Sequence, residues 1–252
     1  MDDNVRVIDR ALDIIELLAQ EDRPMKLHEI VEKSGMSKTT VYRLLSTLCA
    51  RNYAEKREDG SYGIGYKLIE TASTQINSLE LLSESKPFLR RIAKEFDLNS
   101  HMGLLEKGDV VYIERLDVFP GTWLYTRVGY RSPAYCSSIG KVLMSCLSGE
   151  ELDETLAQCS FKKYTKNTIT DPEALKRSLH QIRRQGWAMD DEEYQEGHRC
   201  IGAPIFDYRG CAAAAMSVSG DHGALSDERV PEVIRAVKET AAEISRRMGY
   251  VE

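Results

Sequence analysis

The sequence predicts an α+β protein: a small N-terminal unit of three helices and a two-stranded hairpin, a linker helix, and a larger C-terminal unit on an antiparallel sheet. Three observations predict it. Apolar residues recur at helical spacing through 4–19, 27–33 and 38–51, and then give way to two short runs around a Glu58-Asp59-Gly60 turn. A largely helical stretch follows from about residue 66. Past residue 100 the period changes, to β-rich runs separated by glycine turns and mixed with further helices.

The N-terminal elements can be justified in order. In 4–19, Val7, Ala11, Ile14, Ile15 and Leu18 line one side of an amphipathic helix, and Pro24 marks the break after it. Ser34-Gly35-Met36 ends the second helix, because glycine can take a positive φ. Ser37 stands where an N-cap belongs. From there Val41, Leu44, Leu45 and Leu48 form the buried stripe of the third helix. Its other face carries Ser37, Lys38, Thr39, Thr40, Tyr42 and Arg43. A helix-turn-helix presents that N-terminal half to base edges in the major groove. An ordinary solvated face is the plainer alternative, but turn, cap and hydroxyl-rich start coincide here. With the hairpin 53–64 as a wing, residues 1–66 read as a winged helix-turn-helix.

Charge supports a local contact with nucleic acid. The 252-residue chain carries a net charge of −6, which opposes nonspecific coating of DNA. Between Lys33 and Arg57, however, six cations (Lys33, Lys38, Arg43, Arg51, Lys56, Arg57) face the single anion Glu55. The spacing assigns base or nearby phosphate contacts to Thr39, Thr40, Tyr42 and Arg43, and backbone contacts to Ser37, Lys38 and the wing residue Lys56. No apolar run is long enough for a membrane span, and the acidic start MDDNVRVIDR has no signal-peptide core. The six cysteines are scattered, with no C-x-x-C. The expectation is a cytoplasmic chain without disulfides.

In the second half, 67–82 reads as a linker helix, with a break at Ser85-Lys86-Pro87 where Pro87 suits the first turn of a new helix. Strands are expected at 101–108, 109–117 and 121–129, and helices at 137–147, 149–158 and 172–186. Two more strands, 199–207 and 211–220, are joined by Tyr208-Arg209-Gly210, and a last helix spans 227–248 with Ser226 as its cap. The expected division is 1–66, 67–82 and 83–252.

The segments RALDIIELLA, LHEIVEKSGMSKTTVYRLLSTL and GSYGIGYKL, then Ser138-Ile139-Gly140-Lys141, IRRQGWAMDDEEYQEGHRCIGAPIFD and AMSVSG, occur in that order. As an ordered set they resemble the IclR family of bacterial transcriptional regulators over essentially the whole chain. The resemblance implies a GAF/profilin-like C-terminal domain that binds a small organic acid, sugar acid or aromatic effector. It also implies a homodimer, often paired into a tetramer, on a promoter palindrome of double-stranded DNA. Carried over by position, the pocket would use Asp190, Cys200, Ser217 and Ser219, with backbone N–H groups of Ser138, Ile139 and Gly140. The residue chemistry agrees: Ser217 and Ser219 share one face of a strand, and two hydroxyls near a helix N-terminus suit a carboxylate. Where the family usually has a small apolar residue ahead of Gly-Lys, this chain has Ser137-Ser138-Ile139.

Other readings compete at each point. Paired strand hydroxyls can simply be solvated, and Cys200 can be inert core. An enzyme with an appended DNA-binding unit would use Cys200 as nucleophile, His198 as base and Asp190 as orienter. A redox sensor would use Cys200 alone. His198 and Cys200 with His101 and His222 match no zinc spacing, so neither metal nor cofactor is expected. The run Asp190-Asp191-Glu192-Glu193 reads as a solvated turn in which Asp190 alone points inward.

Overall fold

The computed structural model describes residues 5–21, 23–71, 80–117 and 127–251. The N-terminal unit, 1–79, holds α1 (Arg6–Gln20), α2 (Leu27–Ser34), α3 (Lys38–Ala50), β1 (Ala54–Lys56) and β2 (Tyr62–Ile64). Its core is Ile14, Leu18, Met25, Ile30, Val41, Leu45, Leu48, Ala54 and Tyr62. Gly35 takes φ 65° and donates its amide to the Val31 carbonyl, which ends α2 as expected. Ser37 caps α3 by accepting the Thr40 amide at 3.3 Å. The wing pairs Ala54 with Ile64 and Lys56 with Tyr62. Met25 adds a bridge to Tyr62, and Lys26 reaches the Asp59 carboxylate at 3.1 Å. The wing is thereby tied to the start of α2.

One N-terminal expectation is corrected. Only the second half of α1 is buried, through Ile14 and Leu18; Val7 is 58% exposed, beside exposed Val5, Ile8 and Leu12. Within this unit, the core residues of α2, α3 and the wing gather around that second half.

Among the described residues, the second unit, 80–252, is built on one six-stranded sheet. Its elements are α4 (Glu80–Phe96), β3 (Asn99–Glu106), β4 (Asp109–Leu116), β5 (Arg131–Pro133), α5 (Ser138–Cys146), α6 (Gly149–Gln158), α7 (Pro172–Gln185), β6 (Ala188–Asp191), β7 (His198–Phe206), β8 (Ala212–Asp221) and α8 (Val230–Arg247). The strand order is β5-β4-β3-β8-β7-β6, antiparallel throughout. Side chains alternate across it. Ser100 turns to α4, donating to the Leu89 carbonyl at 3.0 Å. Phe206 donates its amide to Ser245 Oγ of α8 at 2.9 Å. Helix α5 packs on the sheet, with α7 against it, over a core that includes Tyr135, Ile139, Val142, Leu143, Leu175 and Leu179. A Cβ at Gly140 would lie 2.3 Å from the Ala134 backbone, so only glycine lets the 134–136 turn and α5 close together.

Several sequence expectations change here. Helix α4 runs without a break through Pro87; proline removes one N–H donor, and packing of Leu81, Leu82, Leu89, Ile92 and Phe96 into the core outweighs that loss. The last helix starts at Val230 rather than Asp227. Asp227 is drawn to Arg199 at 2.7 Å, and 227–229 form a turn closed on the Ser226 carbonyl. Edge strands β5 and β6 were not anticipated, and the acidic start of the 190–193 run belongs to β6. The strand expected at 121–129 lies mostly outside the described residues, as does 72–79 of the linker; residues 67–71 are helical.

Candidate nucleic-acid interface and ligand site

Helix α3 offers a compact polar face. Ser37, Lys38, Thr39, Tyr42 and Arg43 are exposed, Tyr42 by 54%. Thr40 is half-buried, with its hydroxyl 2.9 Å from that of Ser37, so these two also stabilise the cap. Among the described residues neither Lys38 nor Arg43 enters an ion pair, which leaves both cations available to phosphates or bases. Lys56 projects from β1 with its ammonium 5.8 Å from the centre of the Tyr62 ring. The nearby carboxylate Glu29 serves the fold. Hydrogen bonds from Arg23 and then from the Lys26 amide depress it to about 2.

In the second unit the expected effector residues fall on one face of the sheet. Asp190, Cys200, Ser219 and Asn99 lie opposite one another across β6, β7, β8 and β3, forming one row. The next row is Ala188, Gly202, Ser217 and His101. Helix α5 begins directly above, since a Cβ at Gly202 would lie 3.3 Å from Ser138. Ser137 Oγ accepts the Gly140 amide at 3.1 Å, and the Lys141 amide goes to the Ser137 carbonyl. Among the described residues the Ser138 and Ile139 amides have no protein partner. Gly140, expected to offer its amide, instead serves the cap and the close approach to Ala134.

In the neighbouring row, opposite Cys200, Ser219 is 1% exposed and its hydroxyl has no partner among the described residues. A buried hydroxyl left without a hydrogen bond is costly, and native structures normally satisfy it. Asp190 is 4% exposed. Its Oδ1 accepts the Glu193 amide at 2.7 Å and the Tyr194 amide at 3.4 Å. Burial raises its carboxyl to about 7, against the opposing pull of Lys141. Lys141 is itself buried and joins the Met189 carbonyl to the Glu193 carboxylate, fixing the Asp190 corner beneath α5.

Sequence reasoning missed the rest of the wall. His101 meets Tyr112 edge-on with centroids 5.7 Å apart, and Tyr112 lies 6.3 Å from Tyr130. The Tyr130 and Tyr194 hydroxyls are 2.9 Å apart. Tyr194 leads back to Asp190, so a ring of phenols closes the side of the site. These residues sit far apart in the chain, and only the strand register brings them together. A separate half-open groove of about 1250 Å³ lies at the other end of the strands, between α5, α7 and α8, and does not include this cluster.

Cys200 is poorly suited to thiolate chemistry, because burial first and then Asp190 push its thiol well above the ordinary range. Among the described residues no group of three His, Cys, Asp or Glu is placed to hold a metal ion, and no helix is long and apolar enough to cross a membrane.

Known proteins bear on both surfaces. Residues 7–58 match the IclR helix-turn-helix domain, and 73–246 match the bacterial transcriptional regulator IclR C-terminal domain. The HTH-type transcriptional regulator KdgR of Escherichia coli is 33% identical, over 98% of this chain and 94% of its own length. BhcR of Paracoccus denitrificans, named likewise, is 35% identical over 97% and 88%. The crystal structure of the Thermotoga maritima IclR protein superposes with a TM-score of 0.83 at 31% identity, covering 98% of this chain and all of that one. With a helix-turn-helix unit, an effector-type unit on an antiparallel sheet and these relatives, the chain belongs to the IclR family of DNA-binding transcriptional regulators.

Proposed function

We propose that this regulator binds a promoter palindrome as a homodimer or a pair of dimers and releases or tightens its grip when a small carboxylate enters the second unit. On this reading 1–66 contacts DNA, 67–82 couples and 83–252 senses. Two α3 helices would enter successive major grooves about 34 Å apart. Thr39, Tyr42 and Arg43 would reach bases, while Ser37, Lys38, Thr40 and Lys56 hold the cap and the backbone. Occupying a promoter in this way suits a repressor acting in the cytoplasm.

One observation carries the ligand reading: the buried Ser219 hydroxyl has no partner, and it shares a sheet face with Gly202, against which the start of α5 packs. Hydroxyls and helix-start amides together are donors for a carboxylate. Ser217 and Cys200 flank the position, and Asp190 closes its end. The effector would act by binding one arrangement of the assembly more tightly than the other. Conversion of the effector is not part of the proposal, since the protonated Cys200 thiol argues against an enzyme and against a redox sensor alike.

The test is a thermal-shift and calorimetric screen of small carboxylates against the full chain, followed by chromatography of the hits. A ligand that stabilises the fold and is recovered unchanged supports the reading. A hit that is consumed would replace it with the enzyme.

A further inference from the structure

We propose that the half-open groove between α5, α7 and α8 is a second ligand site, separate from the carboxylate site. It takes an amphiphilic anion, with an acyl-chain body on its apolar floor and an anionic head at its cationic rim.

Strand pairing shapes the groove. β6 begins at Ala188, opposite Gly202, so among the described residues Ala203–Phe206 of β7 have no strand on that side. Ala203, Pro204 and Phe206 line the groove. The Phe206 amide is taken by Ser245 Oγ at 2.9 Å, and Pro204, two residues earlier on the same edge, has no N–H. The edge therefore offers little to an added peptide strand, which favours a small molecule as occupant. The enclosed volume is about 1250 Å³, more than the roughly 300–1,000 Å³ of most small-molecule pockets. The floor is apolar, with Val142, Ile182, Ala203 and Ala241 buried beneath it. The Phe206 and Tyr250 rings, stacked with centroids 5.1 Å apart, extend that apolar lining.

Charge selects the head group. In a chain of net charge −6, four cations line this groove (Arg183, Arg184, Lys238 and Arg246) against the single carboxylate Glu151. Glu151 is engaged, accepting the Ser148 amide at 3.0 Å and the Ser148 hydroxyl at 2.8 Å as the cap of α6. Helix C-termini attract cations for their own sake. That accounts for Arg183, which donates to the Leu147 carbonyl at 3.4 Å, and for Lys238, which donates to the Gln185 carbonyl at 2.9 Å. It does not account for Arg184 and Arg246. Both are exposed, and among the described residues neither side chain has a hydrogen bond or an ion pair. Two guanidinium groups are thus open to a carboxylate or phosphate beside an apolar floor.

Calorimetry on the full chain with octanoate, butanoate, 1-octanol and octyltrimethylammonium tests both halves of the proposal. Octanoate should bind about tenfold or more tightly than butanoate, because each buried CH₂ adds to affinity. It should also bind about tenfold or more tightly than octanol or octyltrimethylammonium, which give the arginines no anion. Arg184→Glu with Arg246→Glu changes two exposed side chains and should erase the advantage of octanoate over octanol. Location is read at Cys211, which is exposed and lines the groove. At ten times its Kd, octanoate should slow alkylation of Cys211 by iodoacetamide about fivefold or more, following the fraction of free protein. Ser219→Ala should leave octanoate affinity unchanged, so failure of the carboxylate site and failure of this one are read separately. Octanoate that binds no more tightly than octanol, a double variant that binds it as wild type does, or Cys211 labelled equally fast with and without it overturns the proposal. Loss of octanoate binding in Ser219→Ala would place the acyl chain beneath α5 and overturn it as well.

Discussion

Ser137 Oγ accepts the Gly140 amide at 3.1 Å, so α5 is capped without using the two amides between them. This separates two roles that a helix start often combines: a structural cap through Ser137, and two amides left open where α5 packs on the sheet at Gly202.

That separation predicts opposite signatures for two serines. Ser137→Ala should destabilise the fold by about 1 kcal/mol, the usual cost of losing a cap. Ser219→Ala removes a hydroxyl that has no partner, so stability should hold or rise slightly. Ligand affinity should nevertheless fall by about 1.5–3 kcal/mol, the loss of a hydrogen bond to a charged group. Urea melts and calorimetry on both variants check the pattern.

For DNA, Arg43→Ala should weaken specific operator binding by about 1–3 kcal/mol if it makes a bidentate base contact. Arg43 is exposed, so the melting temperature should not move. Lys56→Ala should weaken binding evenly across sequences and reduce the salt slope by about one. Gel-shift titrations on an operator selected from random DNA, at several salt concentrations, read both effects.

Asp190 gives a pH dependence whose sign follows from its raised carboxyl, from 3.8 to about 7. Between those values the folded chain holds a proton that the unfolded chain has released. Its contribution to stability is therefore full at low pH and lost as pH rises through about 7. Asp190→Asn cannot titrate. Its melting temperature relative to wild type should be higher at pH 8 than at pH 5; an equal difference at both would show that Asp190 is ionised throughout.

The Lys141–Glu193 pair is almost wholly buried. Lys141→Met leaves Glu193 uncompensated beside Asp190 and should cost about 3–5 kcal/mol. Adding Glu193→Gln removes the stranded charge and should recover a large part of that loss. Urea denaturation of the single and double variants measures the coupling, and no recovery would mean that lysine acts through packing alone.

The N-terminal unit was legible because its signals are local: Gly35, the Ser37 cap and the stripe from Val41 to Leu48 lie within a few turns of each other. The shared strand face of Ser217 and Ser219 was legible for the same reason, since the two lie two apart on one strand. The Lys141–Glu193 pair and the path from Tyr112 through Tyr130 to Tyr194 depend on strand order and were hidden. Pro87 misled because a proline is a local signal for a helix start, and tertiary packing overrode it. Val7 misled because helical spacing identifies a face but not how much of its length is covered.

The most direct measurement is operator affinity with and without a bound carboxylate, in wild type and in the Ser217→Ala/Ser219→Ala double variant. The expected result is a ligand-dependent change in wild type, and a variant that binds the operator as wild type does yet no longer responds at that ligand concentration. A double variant that responds at the wild-type concentration would contradict it and move the effector away from the sheet face beneath α5.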